Sequence, residues 1–369
     1  MNDTSLANTT SGPAGYQPKY PQLVEFSKEY ANIHGPIAVV VCAWGVIANL
    51  VNIVVLTRKN MQSSTNLILT WLAVADLLTM ASYLPVSIHF YIMRDPQLEF
   101  PSTRSIGWIG LMLFHINFTV VCHTIAIWLT IILAIFRYLY ICYPIQGASL
   151  CSMLRAKIAI LCVYLCTAVV CIPNYLLNAV KHDTSRCTNN VTTPACSHYE
   201  FKNSKLAEPF LNNFNYWIQA GLIKLIPCAL LTILTILLIF AMHAANKRRM
   251  ALKSQGKKDE SDRAREHNRT TAMLLAIVAL FLLTELPQGV LTLCSIFIET
   301  FFDDVYWPLG DLLDIMALLN NSINFVLYCT MSRQFRDTFK NVFCSCCESR
   351  PGWMKVRTAE PNGGGTSKV

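Results

Sequence analysis

Three ionisable side chains stand inside long apolar runs of this sequence: Asp76, Lys224 and Glu285. An ionisable group in hydrocarbon costs about 2.5–3.5 kcal/mol even on the lenient insertion scale, so each is expected to face a cavity or a partner. Asp76 lies in Leu72-Ala73-Val74-Ala75-Asp76, and the carboxamides of Asn49, Asn320, Asn321 and Asn324 are placed to surround it. Amides around a carboxylate make either interhelical glue or an ion- or proton-sensitive switch, for which sodium is the candidate ion. Glu285 stands two residues before Pro287. Proline frees a backbone carbonyl and kinks a helix, so this acid sits beside a natural hinge. Lys224, three residues before Pro227, is its candidate partner. His115 and His123 are further candidates for the interior, and their spacing of eight puts them on roughly one helical face. Arg137, in Ile135-Phe136-Arg137-Tyr138, closes an apolar run, as a functional cation or a snorkelling anchor. No zinc-protease HExxH, phosphate-cradling glycine loop, nucleophile elbow or CxxC pair with zinc spacing occurs, so the chain is not expected to be an enzyme.

The elements that must position these residues are membrane helices. Of 369 residues 53% are hydrophobic and only 14% charged, and mean hydropathy is +0.40. That composition excludes a disordered chain, and 15 Cys are too few for a small disulfide scaffold. A bilayer-spanning helix needs roughly 20 predominantly apolar residues. Seven such stretches lie near 36–57, 66–93, 107–142, 157–180, 214–245, 271–298 and 306–331. The expected architecture is an all-α membrane protein: a seven-transmembrane bundle over 34–331 after an N-terminal segment 1–33. A short amphipathic helix follows in 332–347, carrying Phe335, Phe339 and Phe343, and then a flexible tail at 348–369. No cleavable leader is read at the start of the chain.

The net charge of +8 divides unevenly across such a bundle. The segments on one side hold 21 Lys and Arg against 7 Asp and Glu, and those on the other side hold 8 against 13. The positive-inside rule makes the first side cytoplasmic and the N-terminus extracellular, at a plasma membrane. Sequons at Asn2, Asn8 and Asn190 fall on the outer side and are glycosylation candidates. Cys187 and Cys196 share an outer loop, where an oxidising environment favours their pairing. Cys344, Cys346 and Cys347 follow the amphipathic helix and are palmitoylation candidates. The basic inner face suits anionic membrane lipid, and this distribution gives no reason to expect nucleic acid. The final Ser367-Lys368-Val369 resembles a ligand for a PDZ domain.

Taken in order, these residues resemble the rhodopsin-like family of seven-helix G-protein-coupled receptors. Asn49, Leu72-Ala73-Val74-Ala75-Asp76, Phe136-Arg137-Tyr138, Pro227, Phe281 with Pro287, Asn324-Phe325-Val326-Leu327-Tyr328 and Phe335-Arg336 match or resemble the family's motifs over about 34–345. By resemblance, Asp76, Arg137, Tyr138, Phe281, Pro287, Asn320, Asn321, Asn324 and Tyr328 are the activation switch. The departures are Phe136 for the usual acid, Glu285 for the toggle tryptophan, Phe325 for proline, and Met112 for the third-helix cysteine. Without that cysteine, Cys187 and Cys196 would close their own hairpin. Phe136-Arg137-Tyr138, Thr284-Glu285-Leu286-Pro287-Gln288-Gly289 and the seventh-helix motif are similar to invertebrate myosuppressin or FMRFamide-related peptide receptors, with sex-peptide and myoinhibitory-peptide receptors as relatives. The resemblance implies a short agonist ending in Arg-Phe-amide, an inhibitory Gi/o protein and arrestin as partners.

The acidic outer face, net −5, fits a cationic ligand. Glu299, Asp303, Asp304, Asp311 and Asp314 flank the mouth, Glu285 is placed to meet an arginine, and Gln288 or Gln219 to meet an amide cap. Tyr91, Trp217 and Trp307 are the expected aromatic walls. Three other classes compete. A retinal photoreceptor fails for want of a lysine in 306–331. A transporter is disfavoured by the lack of a visible repeat. A non-signalling peptide scavenger is compatible with the departures.

Overall fold

The computed structural model describes residues 19–93, 105–183, 198–203, 209–254, 258–298 and 300–343. Seven helices are long and apolar enough to cross a membrane: α1 (Pro21–Leu56), α2 (Ser64–Ile92), α3 (Ile106–Cys142), α4 (Met153–Leu177), α5 (Phe210–Ala245), α6 (Leu275–Phe297) and α7 (Phe302–Met331). The chain is a multi-pass membrane protein, as its seven apolar stretches require. Helix α5 continues to Ser254, and α6 is the second half of a helix that begins at Lys258. Helix α1 starts well before the apolar stretch near 36, because Pro21 at its first turn already has the φ of a helix.

The helices close a ring in which α1 packs on α2 and α7, α3 on α2 and α5, and α6 on α5 and α7. Apolar side chains both fill the interior and cover the outside. Leu129, Leu133 and Ile160 lie in one buried cluster, Ile127, Leu231 and Leu238 in another. Val40, Leu165 and Phe240 are exposed on the outer surface, where lipid is their solvent. Helix ends are set locally. The Ser63 hydroxyl accepts the Asn66 N–H at 3.1 Å and caps α2. Within the spans, threonine hydroxyls turn back on the carbonyl four residues earlier, as Thr130 does to Ala126 and Thr232 to Cys228. That satisfies a donor that hydrocarbon leaves without water.

Between α4 and α5, strands β1 (Asn178–Asp183) and β2 (His198–Asn203) pair antiparallel, with Asn178 opposite Asn203. Cys187 and Cys196, expected to close this loop, and Asn190 lie outside the described residues, as do Asn2, Asn8, Glu299 and Cys344, Cys346 and Cys347. The opposite end of the bundle carries α8 (Arg333–Phe343). Its Phe335 is buried against Tyr328 at 5.4 Å between ring centres. Asn60, in the turn between α1 and α2, donates to Thr338 at 2.7 Å and accepts from Gln334 at 2.6 Å, which holds α8 against the bundle.

Candidate functional site

The polar interior is arranged as four groups stacked through the bundle. The first joins α3, α5 and α6. Lys224 Nζ donates to Glu285 Oε2 and to Gln288 Oε1, each at 2.7 Å. His123 Nε2 lies 3.0 Å from Glu285 Oε2 and 3.2 Å from Lys224 Nζ. One ring nitrogen either donates to the carboxylate or accepts from the ammonium, so these two contacts are alternatives. Glu285 is 1% exposed, and its Oε1 has no hydrogen-bond partner. Of the two cations the sequence offered Glu285, an incoming arginine or the chain's own Lys224, the lysine holds the position.

Local backbone puts it there. Residues Ile218–Leu225 form a π-helical stretch ahead of Pro227. Helix α6 approaches at Gly289, where an added Cβ would stand 3.3 Å from the Cβ of Lys224. The same π-turn corrects an expectation. Seven residues are two α turns, which would align Trp217 with Lys224. The wider turn breaks that alignment, and Trp217 is 53% exposed, edge-on to Phe297. Trp307 is 54% exposed at the start of α7, so neither tryptophan walls the interior.

The second group lies between α1, α2 and α7 near the hairpin end. Tyr91 donates to Asp311 at 2.9 Å, and Tyr83 to Asp314 at 3.2 Å. His34 Nε2 is 3.0 Å from the Tyr83 hydroxyl. His115 Nδ1 is 3.1 Å from Ser82 Oγ on α2, not beside His123. Eight residues leave about 80° of helical rotation, enough to direct the two histidines to different neighbours. Asp304 also departs from expectation. It is 3% exposed, accepts the Lys19 N–H at 3.0 Å and the Thr300 hydroxyl at 2.7 Å, and is not free to steer a ligand.

The third group is a set of carboxamides. Asn174 donates to Asn117 at 2.8 Å and accepts from Gln219 at 3.2 Å and Asn215 at 3.4 Å. Gln219, expected to meet a ligand, is thus engaged through its NH2 with α4.

The fourth group surrounds Asp76. Asn324 Nδ2 donates to Asp76 Oδ2 at 3.0 Å, and Asn49 donates to the Asn321 carbonyl at 3.1 Å. A cavity of about 20 Å³ adjoins them, lined by Asp76, His123, Thr130, Asn320, Asn321 and Asn324 among others. That is room for one water-sized occupant. At the α8 end, Arg137 makes no ion pair among the described residues, and its Nε is buried without a partner. Tyr138 packs partly buried near Ile131 and Leu238. Pro287 lies within the α6 helix, as does Phe281.

Sequence reasoning did not single out His34, Tyr83, Asn117, Asn174 or Asn215. The last four are polar residues within apolar stretches, the signal that found Asp76. His34 fell just outside a span drawn from 36.

A family model described as serpentine type 7TM GPCR chemoreceptor Srw matches residues 36–346. The chain is 29% identical over 363 residues to the G-protein coupled receptor dmsr-1 of Caenorhabditis elegans, covering 88% of this chain and 70% of that protein. It is 30% identical over 312 residues to the Sex peptide receptor of Drosophila melanogaster, covering 81% and 69%. With the FMRFamide receptor of Drosophila melanogaster it shares 24% over 339 residues, covering 88% and 56%.

Proposed function

The chain belongs to the serpentine seven-transmembrane G-protein-coupled receptors, and we propose that its agonist is a short amidated peptide of the Arg-Phe-amide class. The names of two relatives, the Sex peptide receptor and the FMRFamide receptor, support a peptide. The observation that carries the cationic class is the charge of the interior. Asp311 and Asp314 line it near the hairpin end with tyrosine hydroxyls as their donors. The charge asymmetry supports the hairpin end, and with it the N-terminus, as extracellular, and the α8 end as cytoplasmic.

Agonist enters from the hairpin end, binds the active arrangement better and shifts the population toward it. The knot of Lys224, Glu285, His123 and Gln288 ties α5 to α6 beside Pro287, so the agonist biases the kink through it. The α8 end of α6 then swings, and Arg137 and Tyr328 face a Gi/o-type protein. The residues around Asp76 fit a sodium ion: a carboxylate, three carboxamides and room for one small occupant. The ion would supply positive charge that favours the resting arrangement.

The test is expression in cells carrying separate sensors for each G-protein class, challenged with a panel of amidated peptides. A Gi/o response to Arg-Phe-amide peptides supports the reading. A response confined to another amidated class reassigns the agonist. Surface binding of a peptide without any sensor response makes the protein a scavenger.

A further inference from the structure

Asp311 and Asp314 of α7 face α1 and α2, with His34 beside Asp311 and the charge of Lys224 felt at Asp314. Tyr91 and Tyr83 donate one hydroxyl each to them, at 2.9 and 3.2 Å. Among the described residues no Lys or Arg makes an ion pair with either. Lys224 is already committed to Glu285 and Gln288. Two interacting acids within a span either share a proton or take a positive occupant.

A second observation comes from the facing wall. His34 is fully buried, its ring 4.6 Å from that of Tyr91 and its Nε2 3.0 Å from the Tyr83 hydroxyl; the ring borders the Asp311 backbone, and among the described residues its Nδ1 makes no hydrogen bond of good geometry. Ser87 lies one helical turn from both tyrosines and is also fully buried, and among the described residues its Oγ has no hydrogen-bond partner. Buried polar atoms are normally satisfied, so these two are fitted to something that arrives. The approach of α1 here is close. A Cβ on Gly35 would stand 2.5 Å from the Cβ of Tyr91, so only glycine lets His34 settle against that ring.

The packed junction of α1, α2 and α7 is therefore rich in acceptors and aromatic rings, and an arriving group would part it into a cleft. A guanidinium matches it: planar, with five donors, no acceptor, and a face that stacks on tyrosine. Among the described residues no group of His, Cys, Asp and Glu is arranged to hold a metal ion. We propose that the cleft of Asp311, Asp314, Tyr83, Tyr91, His34 and Ser87 is the subsite for the arginine of the agonist, and that Glu285 is not. The proposal rests on the peptide reading above. It separates recognition, at α1, α2 and α7, from the switch at α5 and α6.

The test is a peptide-by-receptor cycle in the full-length receptor, with Phe-Met-Arg-Phe-amide and its citrulline analogue as probes. Citrulline keeps the shape of arginine and removes its charge. In the wild type the replacement is expected to cost about thirtyfold or more in potency, the scale of a broken buried charge contact. In D311N/D314N, matched for surface amount, the same replacement is expected to cost less than about threefold, within the size of exposed contacts. The single variants D311N and D314N each carry part of the effect, should the double variant fail to reach the surface. In E285Q, which disturbs the switch, the citrulline cost is read by competition binding at matched surface amount and is expected to persist. A full citrulline cost in the aspartate variants, or its loss in E285Q, overturns the proposal while leaving the peptide reading intact. A wild type equally sensitive to both probes overturns the arginine subsite too. A wild type deaf to every peptide of the panel overturns the peptide reading itself.

Discussion

Lys224 Nζ stands 2.7 Å from Glu285 Oε2, bridging α5 and α6 two residues before Pro287, which lies inside the α6 helix. The pair is nearly dry, at 8% and 1% exposure. Removing one partner of such a pair leaves an uncompensated charge and costs about 3–5 kcal/mol, whereas replacing both with apolar residues is often neutral. K224M and E285Q are each expected to lower the melting temperature of detergent-purified receptor, and K224M/E285L to recover most of the loss. Single variants as stable as wild type would show that the two charges do not meet in the folded receptor.

Gly289 allows the approach that forms this pair. An added methyl would meet the Cβ of Lys224 at 3.3 Å, so α5 and α6 must part by a few tenths of an ångström to admit it. G289A is expected to loosen α5 from α6 and to raise ligand-free signalling per receptor at the surface. Basal signalling equal to wild type, with unchanged thermal stability, would remove the knot from the switch.

The Asp76 group gives a prediction in a different readout. If sodium favours the resting arrangement, replacing choline with sodium in membrane preparations weakens agonist binding. D76N is expected to make agonist affinity indifferent to the exchange, because the cavity then lacks its carboxylate. Equal sodium sensitivity in D76N and wild type would place any ion elsewhere.

Helix α8 is anchored by one side chain above the others. Phe335 is 1% exposed against Tyr328 and Phe325. Truncating a buried phenylalanine costs about 3–5 kcal/mol, so F335A is expected to reduce surface amount and thermal stability markedly. F343A is expected to do little, since Phe343 is 46% exposed.

The seven spans and the short terminal helix were legible because hydropathy and length bound them tightly. Lys224 with Glu285, and Asp76 with Asn324, were legible for a related reason: charge inside hydrocarbon demands a partner, and few candidates existed. The neighbours of His115 and the direction of Trp217 were not. Both depend on helical phase, and a π-helical stretch at 218–225 shifts phase without any simple mark in composition. His34 escaped because hydropathy places the edge of a span by averages, while α1 runs on to Pro21. The coupling of Asp304 to the Lys19 N–H escaped because it joins residues 285 apart through a backbone donor, which side-chain chemistry does not reveal.

An amidated Arg-Phe peptide is expected to activate this receptor through a Gi/o-type protein. The most direct measurement is a dose-response of Gi activation in cells, comparing Phe-Met-Arg-Phe-amide with the same peptide as a free acid. The expected result is saturable activation by the amide and at least about tenfold lower potency for the acid, which places a carboxylate among carboxylates. Equal potency of the two forms, or binding of the amide without Gi activation, would contradict it.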